Sequence, residues 1–84
     1  MAQVELTAGA EQEVGALPKT IRLRILQVVR RLEGWPTVSG AKPLRGILAG
    51  HYRIRTGDYR VQFHLDGEIV VVEKVGHRDR FYEY

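Results

Sequence analysis

Cysteine is absent from the 84-residue chain, which removes disulfides, thiolate nucleophiles and Cys-based zinc sites at once. Histidine offers no obvious substitute: His51, His64 and His77 lack the i, i+4 or H-x₃₋₅-H spacing of common metal sites, and no Asp/Glu cluster accompanies them. No metal and no cofactor are therefore expected. No basic segment followed by an apolar run opens the chain, and no stretch approaches the ~20 consecutive apolar residues of a membrane span, so a soluble cytoplasmic protein without a membrane partner is expected. Base is missing from Met1 to Val14, which holds three glutamates, whereas Pro18 to Arg31 and Lys42 to Arg60 are rich in Lys and Arg. The net charge of +3 conceals this asymmetry, which points to a nucleic acid or an acidic protein as partner.

What is present is ordinary globular material, 44% hydrophobic and 27% charged, enough for a single domain over residues 1–84 with a thin core. Ala2 to Thr7 alternates, with Val4 and Leu6 on one face, and predicts a short edge strand. Ala8 to Leu17 predicts a short helix weakened by Gly9 and Gly15. From Pro18 the spacing of Ile21, Ile25, Val28, Val29 and Leu32 is strongly helical, and Leu23 and Leu26 widen the stripe; Gly34 and Pro36 end it. An α-hairpin from about Ala8 to Glu33, packed by one apolar face on a sheet, follows. Trp35 is expected to fold back on the end of that layer. Thr37 to Gly50 is glycine-punctuated and predicts a loop anchored by Leu44, Ile47 and Leu48, carrying Lys42 and Arg45.

The most informative stretch is His51 to Leu65. With Gly57 and Asp58 as a type II′ turn, Arg55 faces Arg60, Ile54 faces Val61, Arg53 faces Gln62, Tyr52 faces Phe63 and His51 faces His64. Alternation then divides the hairpin into an apolar face and a face bearing His51, Arg53, Arg55, Arg60, Gln62 and His64. Like charges directly across a ladder destabilise it, so three guanidiniums on one surface imply an anionic ligand. Their forked geometry suits phosphate oxygens, and a phosphodiester is the expected ligand. Asp66-Gly67 predicts a second, type I′ turn leading into a strand over Glu68 to Val75. Ile69 to Val72 should be interior to the sheet, and Glu73 should fall opposite Arg60 and on its face, which turns Lys74 toward the apolar side unless a bulge intervenes.

The tail, GHRDRFYEY, supplies His77, Arg78, Arg80, Tyr82 and Tyr84 beside this surface. RNA cleavage through a 2′-hydroxyl needs a base, cations for the pentavalent phosphate and an acid for the leaving oxygen. Neighbouring cations favour the phenolate form of tyrosine, and imidazole carries protons near neutral pH.

Lys42-Pro43-Leu44-Arg45-Gly46, the hairpin Tyr52-Arg53-Ile54-Arg55 with Gly57-Asp58-Tyr59-Arg60-Val61, and Val75-Gly76-His77-Arg78 followed by Tyr82 resemble the RelE/ParE superfamily of toxins over essentially the whole chain. The helical segment LPKTIRLRILQVVRRLE is similar to that family's helix pair. The resemblance implies an α+β fold, two N-terminal helices on a curved, mostly antiparallel four-stranded sheet. It further implies a metal-independent, ribosome-dependent mRNA endonuclease held in check by a cognate antitoxin protein. By the same resemblance Arg53 and Arg55, with Lys42 and Arg45, grip RNA, Arg60 stabilises the scissile phosphate, Arg78 assists the transition state or leaving group, and Tyr82 or Tyr84 is the base. The founding RelE pattern has lysines where Arg53 and Arg55 stand. Because an arginine is a poor proton donor, His77 is the candidate acid. The alternatives are a ParE-like gyrase inhibitor and a noncatalytic nucleic-acid binder of the same fold.

Overall fold

In a computed structural model of the protein, residues 2–81 are described. The chain runs β1 (Gln3–Leu6), α1 (Ala8–Gly15), α2 (Lys19–Leu32), β2 (Lys42–Pro43), a 3₁₀ turn (Gly46–Leu48), β3 (His51–Thr56), β4 (Tyr59–Asp66), β5 (Ile69–His77) and a second 3₁₀ turn (Arg78–Arg80). The strands form one sheet in the order β1-β5-β4-β3-β2. Two helices on a mixed sheet make this the α+β fold expected, with one strand more than the four anticipated. The addition is the two-residue β2, in which Lys42 pairs with Arg53 and Pro43 with Tyr52, inside a segment expected to be loop.

β1 lies at the edge and runs parallel to β5, pairing Gln3 to Leu6 with Ile69 to Val72. β5 is thereby interior, as its unbroken apolar run requires. Where β1 ends, α1 takes over the exposed flank of β5: the Val75 N–H donates to the Glu13 carboxylate at 2.9 Å. Thr7 caps α1 by accepting from the Ala10 N–H at 3.1 Å, the side-chain device that satisfies a free first-turn donor.

The core is the expected one. Ile25, Val28 and Leu32 of α2 and Ala10 and Val14 of α1 bury against Ile54, Val61, Phe63, Val70, Val72 and Val75 of the sheet. Trp35 closes the end of this layer, its ring 4.9 Å from Tyr52 and 5.3 Å from Phe63, both edge-on. Leu23 and Leu26, by contrast, are 53% and 46% exposed; a helix meeting a single sheet uses a narrow stripe, and these two fall outside it. Ile47 is 92% exposed and anchors nothing, leaving Leu44 and Leu48 half-buried in that segment.

The β3–β4 register is the predicted one at all five pairs named above, with Thr56 opposite Tyr59 beside the turn, and Gly57 has φ +59° while Asp58 has no positive φ, as a type II′ turn demands. The second hairpin differs. Its central residues are Gly67 and Glu68, Asp66 pairs with Ile69, and Gly67 alone has a positive φ, +62°. The turn is therefore displaced by one residue from the Asp66-Gly67 expected, and again carries glycine at its first central position.

Farther along, the β4–β5 ladder shifts between Gln62 and Phe63. Phe63 pairs with Val72 but Gln62 pairs with Lys74, so Glu73 is the additional residue of a bulge. The bulge resolves an awkward sequence pattern. Val70, Val72 and Val75 all reach the core although 72 and 75 differ in parity, and Lys74 is turned to the polar face. Together with the displaced turn, it overturns the expected pairing of Glu73 with Arg60, which lies opposite Gly76 instead.

Candidate nucleic-acid interface

Cross-strand partners share a face, so the register assembles the polar surface in three rows. Arg55 and Arg60 lie side by side with Gly76 beyond them; Lys42, Arg53, Gln62 and Lys74 form the next row; His51 and His64 form the third. Arg53 is only 8% exposed. Burial first, then the positive charges of Arg60 and Arg55, pull its guanidinium below the usual arginine range, so Arg53 senses both neighbouring arginines. Gly40, Lys42, Arg53 and Arg55 line a depression of about 390 Å³ at this end of the sheet, a size suited to a phosphate and part of its sugar.

Relief of this repulsion is measurable. Arg55→Gln is expected to raise thermal stability by about 0.5 kcal/mol, with the gain fading as salt screens the cations. Thermal melts at low and high NaCl check this, and an equal gain at both would remove the electrostatic account.

The tail is placed in two ways. The Arg78 N–H donates to the Asp58 carbonyl at 2.8 Å, which continues the ladder and ties the second 3₁₀ turn to the first hairpin. Alternation puts Arg78 on the side of Gly76 and Arg60, exposed, with its Nε 3.9 Å from Asp58 and 3.7 Å from Asp79. His77 goes the other way. It pairs with Tyr59, packs perpendicular to that ring at 5.2 Å, and lines a separate depression with Leu17, Pro18 and Glu13 where the helices meet. The expected delivery of His77 to the arginine face is thus corrected: the strand's own alternation turns it toward the helices. Arg45 stands past the end of the β2–β3 ladder and is exposed. Tyr82 and Tyr84 lie outside the described residues.

Two features escaped sequence reasoning. Phe81 is 7% exposed and lies over Gly76, where an added Cβ would meet its ring at 3.6 Å, with the Lys74 ammonium 4.8 Å from the ring centre. This cation–π contact covers the polar face next to Arg60. The second feature is Glu73. It accepts from His51 Nδ1 at 2.6 Å, from Gln62 Nε2 at 2.5 Å and from His64 Nδ1. Burial pushes its carboxyl up, but the donors Gln62, His64 and His51 outweigh this and hold it below the usual carboxylate range. The Val72-to-Val75 spacing was the signal for both Glu73 and Lys74, since only an additional residue lets both valines face inward.

Compared with known proteins, residues 4–82 match the family model of the ParE toxin of the type II toxin–antitoxin system. The toxin RelE3 of Methanocaldococcus jannaschii is 30% identical over 71 residues, 81% of each chain. A chain of the toxin–antitoxin complex RelBE2 of Mycobacterium tuberculosis superposes with a TM-score of 0.81 at 31% identity, covering 92% of this chain and 91% of that one. The isolated RelE toxin of E. coli shares the fold, with a TM-score of 0.76 at 23% identity over 92% of this chain and 84% of that one. Among the described residues, no helix is long and apolar enough to cross a membrane.

Proposed function

The chain belongs to the RelE/ParE superfamily of toxins of type II toxin–antitoxin systems, and we propose that it acts in the cytoplasm as a ribosome-dependent mRNA endonuclease. The observation that carries this reading is the Arg53, Arg55, Arg60 cluster on one sheet face, with Arg53 held below its ordinary range by burial and by its two neighbours. A cluster that opposes itself in the free protein is relieved by a polyanion, and most of all by the extra negative charge of a pentavalent phosphate. In this reading a 2′-hydroxyl attacks the adjacent phosphorus as its proton leaves to a base, the phosphate gains charge against Arg60, and the 5′-oxygen departs with a proton.

Arg53, Arg55 and Lys42 hold the backbone on either side, and the exposed Arg45 adds a peripheral phosphate contact. Arg78, tethered to the Asp58 carbonyl, meets the leaving side. A terminal tyrosine, Tyr82 or Tyr84, takes the base role. The partner in the resting cell is a cognate antitoxin with acidic or amphipathic segments that cover the cationic face; solved relatives include complexes of RelE with RelB.

The family model's ParE description supports a second reading, a gyrase inhibitor that cuts nothing. Primer extension on mRNA translated in a purified system separates the two. New 5′ ends within codons at the ribosomal A site are expected only when toxin and ribosomes are both present. Intact mRNA together with inhibited supercoiling would replace the first reading by the second.

A further inference from the structure

The polar face carries a second group of side chains that the phosphate-binding reading leaves unused. His51 of β3, His64 of β4 and Glu73 at the bulge of β5 bring one ring nitrogen from each histidine and a carboxylate oxygen within 4.8 Å of one another. We propose that these three side chains form a binding site for a divalent transition-metal ion of the zinc, cobalt or nickel class. The inference does not depend on what the toxin cleaves.

Two imidazole nitrogens and one carboxylate oxygen are the donors such ions select, whereas magnesium and calcium demand more oxygens than this site offers. Three protein ligands leave one position of a tetrahedron open. The second layer is also in place. Gln62 is 2% exposed and its Nε2 donates to Glu73 Oε2 at 2.5 Å, which orients the carboxylate so that Oε1 faces His64 Nδ1, the side on which an ion would sit. The same amide's Oε1 is buried with no hydrogen-bond donor among the described residues, the kind of acceptor that a metal-bound water satisfies. His51 and His64 are 31% and 34% exposed at the side chain, so an ion can enter. The adjoining depression, lined in part by His51, Gln62, Glu73, Lys74 and Gln12, has a volume of about 680 Å³.

The competing description is a closed hydrogen-bonded cluster. A carboxylate only accepts, so in that case both Nδ1 atoms must carry protons. A metal ion replaces those protons, and this is the difference the experiment reads. The neighbouring charges of Arg53 and Lys74 oppose a dication, which sets the affinity well below that of a thiolate site. Histidine spacing along the sequence does not point to this set, because His77 is on the other face and the third side chain of the proposed site is Glu73, brought in by the bulge.

The test uses the tag-free, chelator-treated full chain titrated with Co²⁺ and then Zn²⁺. We expect one Co²⁺ per chain, a visible absorption band of a tetrahedral site that Zn²⁺ abolishes, and no response to Mg²⁺. In ¹⁵N spectra of the wild-type ring nitrogens, Zn²⁺ should move His51 and His64 and leave His77 in place. His51→Gln and His64→Gln should each weaken Co²⁺ binding at least ~10-fold, with His77→Gln unchanged. Absence of binding at millimolar ion, shifts confined to His77, or unaltered affinity in both His51→Gln and His64→Gln would overturn the proposal. The wild-type spectra decide the matter even where a variant folds poorly.

Discussion

Arg60→Ala is expected to lower ribosome-dependent mRNA cleavage by about 10²- to 10³-fold, the usual cost of removing one preorganised donor from a phosphoryl transition state. Arg60 sits on the central strand β4, with Arg55 across one ladder and Gly76 across the other. The glycine places no side chain beside the guanidinium, while Phe81 packs over that glycine and fixes the boundary of the space. Removing Arg60 also removes a positive charge felt by the buried Arg53, and a thermal melt of the variant separates lost chemistry from lost fold. Arg60→Lys restores the charge but not the two-point fork, and should recover only part of the rate. Arg45→Ala, on an exposed segment past the ladder, should change cleavage less than about threefold, within the range of an exposed, screened contact. Primer extension with quantified band intensities measures all three, and full activity in Arg60→Ala would move the chemistry to another part of the surface.

Why the hairpin was legible and the next turn was not has a physical answer. The β3–β4 pairing is local: Gly57 admits the positive φ, strict alternation sets the faces, and a slip by one residue would send Ile54, Val61 and Phe63 into water. Those three side chains are at most 1% exposed, so the register has no rival. Asp66-Gly67 looked equally decisive, because an Asp-Gly pair is the common type I′ signal. Yet with glycine first and Glu68 second the backbone needs only one positive φ, and Asp66 stays in the ladder opposite Ile69. That displacement, together with the additional residue at Glu73, moved the partner of Arg60 from a carboxylate to a glycine.

The remaining differences are long-range. β1 joins β5 from the other end of the chain, and β2 owes its pairing to β3 rather than to its own composition, since Lys42-Pro43 carries no strand signal. His77 reached the helix side because each residue of a strand alternates, and a single bulge upstream is enough to exchange which residues face the arginines. Of the candidate site, the arginines of β3 and β4 were readable because one hairpin holds them. The His51, His64 and Glu73 cluster was not, because it draws on three strands and depends on an irregularity in one.

That cluster gives the largest stability effect expected outside the apolar core. Glu73→Ala should destabilise the metal-free protein by about 2–4 kcal/mol, equivalent for a domain of this size to roughly 10–25 °C in Tm. The loss has one main source: Gln62, 2% exposed, would keep a buried amide whose Nε2 had lost its acceptor. His51 and His64 contribute less, because both are about one-third exposed and water can replace the carboxylate. The pair is therefore more diagnostic than either residue alone. Replacing Gln62 by Leu as well removes the stranded amide, so Gln62→Leu/Glu73→Ala should be more stable than Glu73→Ala alone by about 1–2 kcal/mol, the order of the penalty for an unsatisfied buried group. Urea melts of the wild type, both single variants and the double variant close the cycle. Additivity would mean that Gln62 and Glu73 stabilise the bulge independently, and the carboxylate would then be held there by packing rather than by the donors that converge on it.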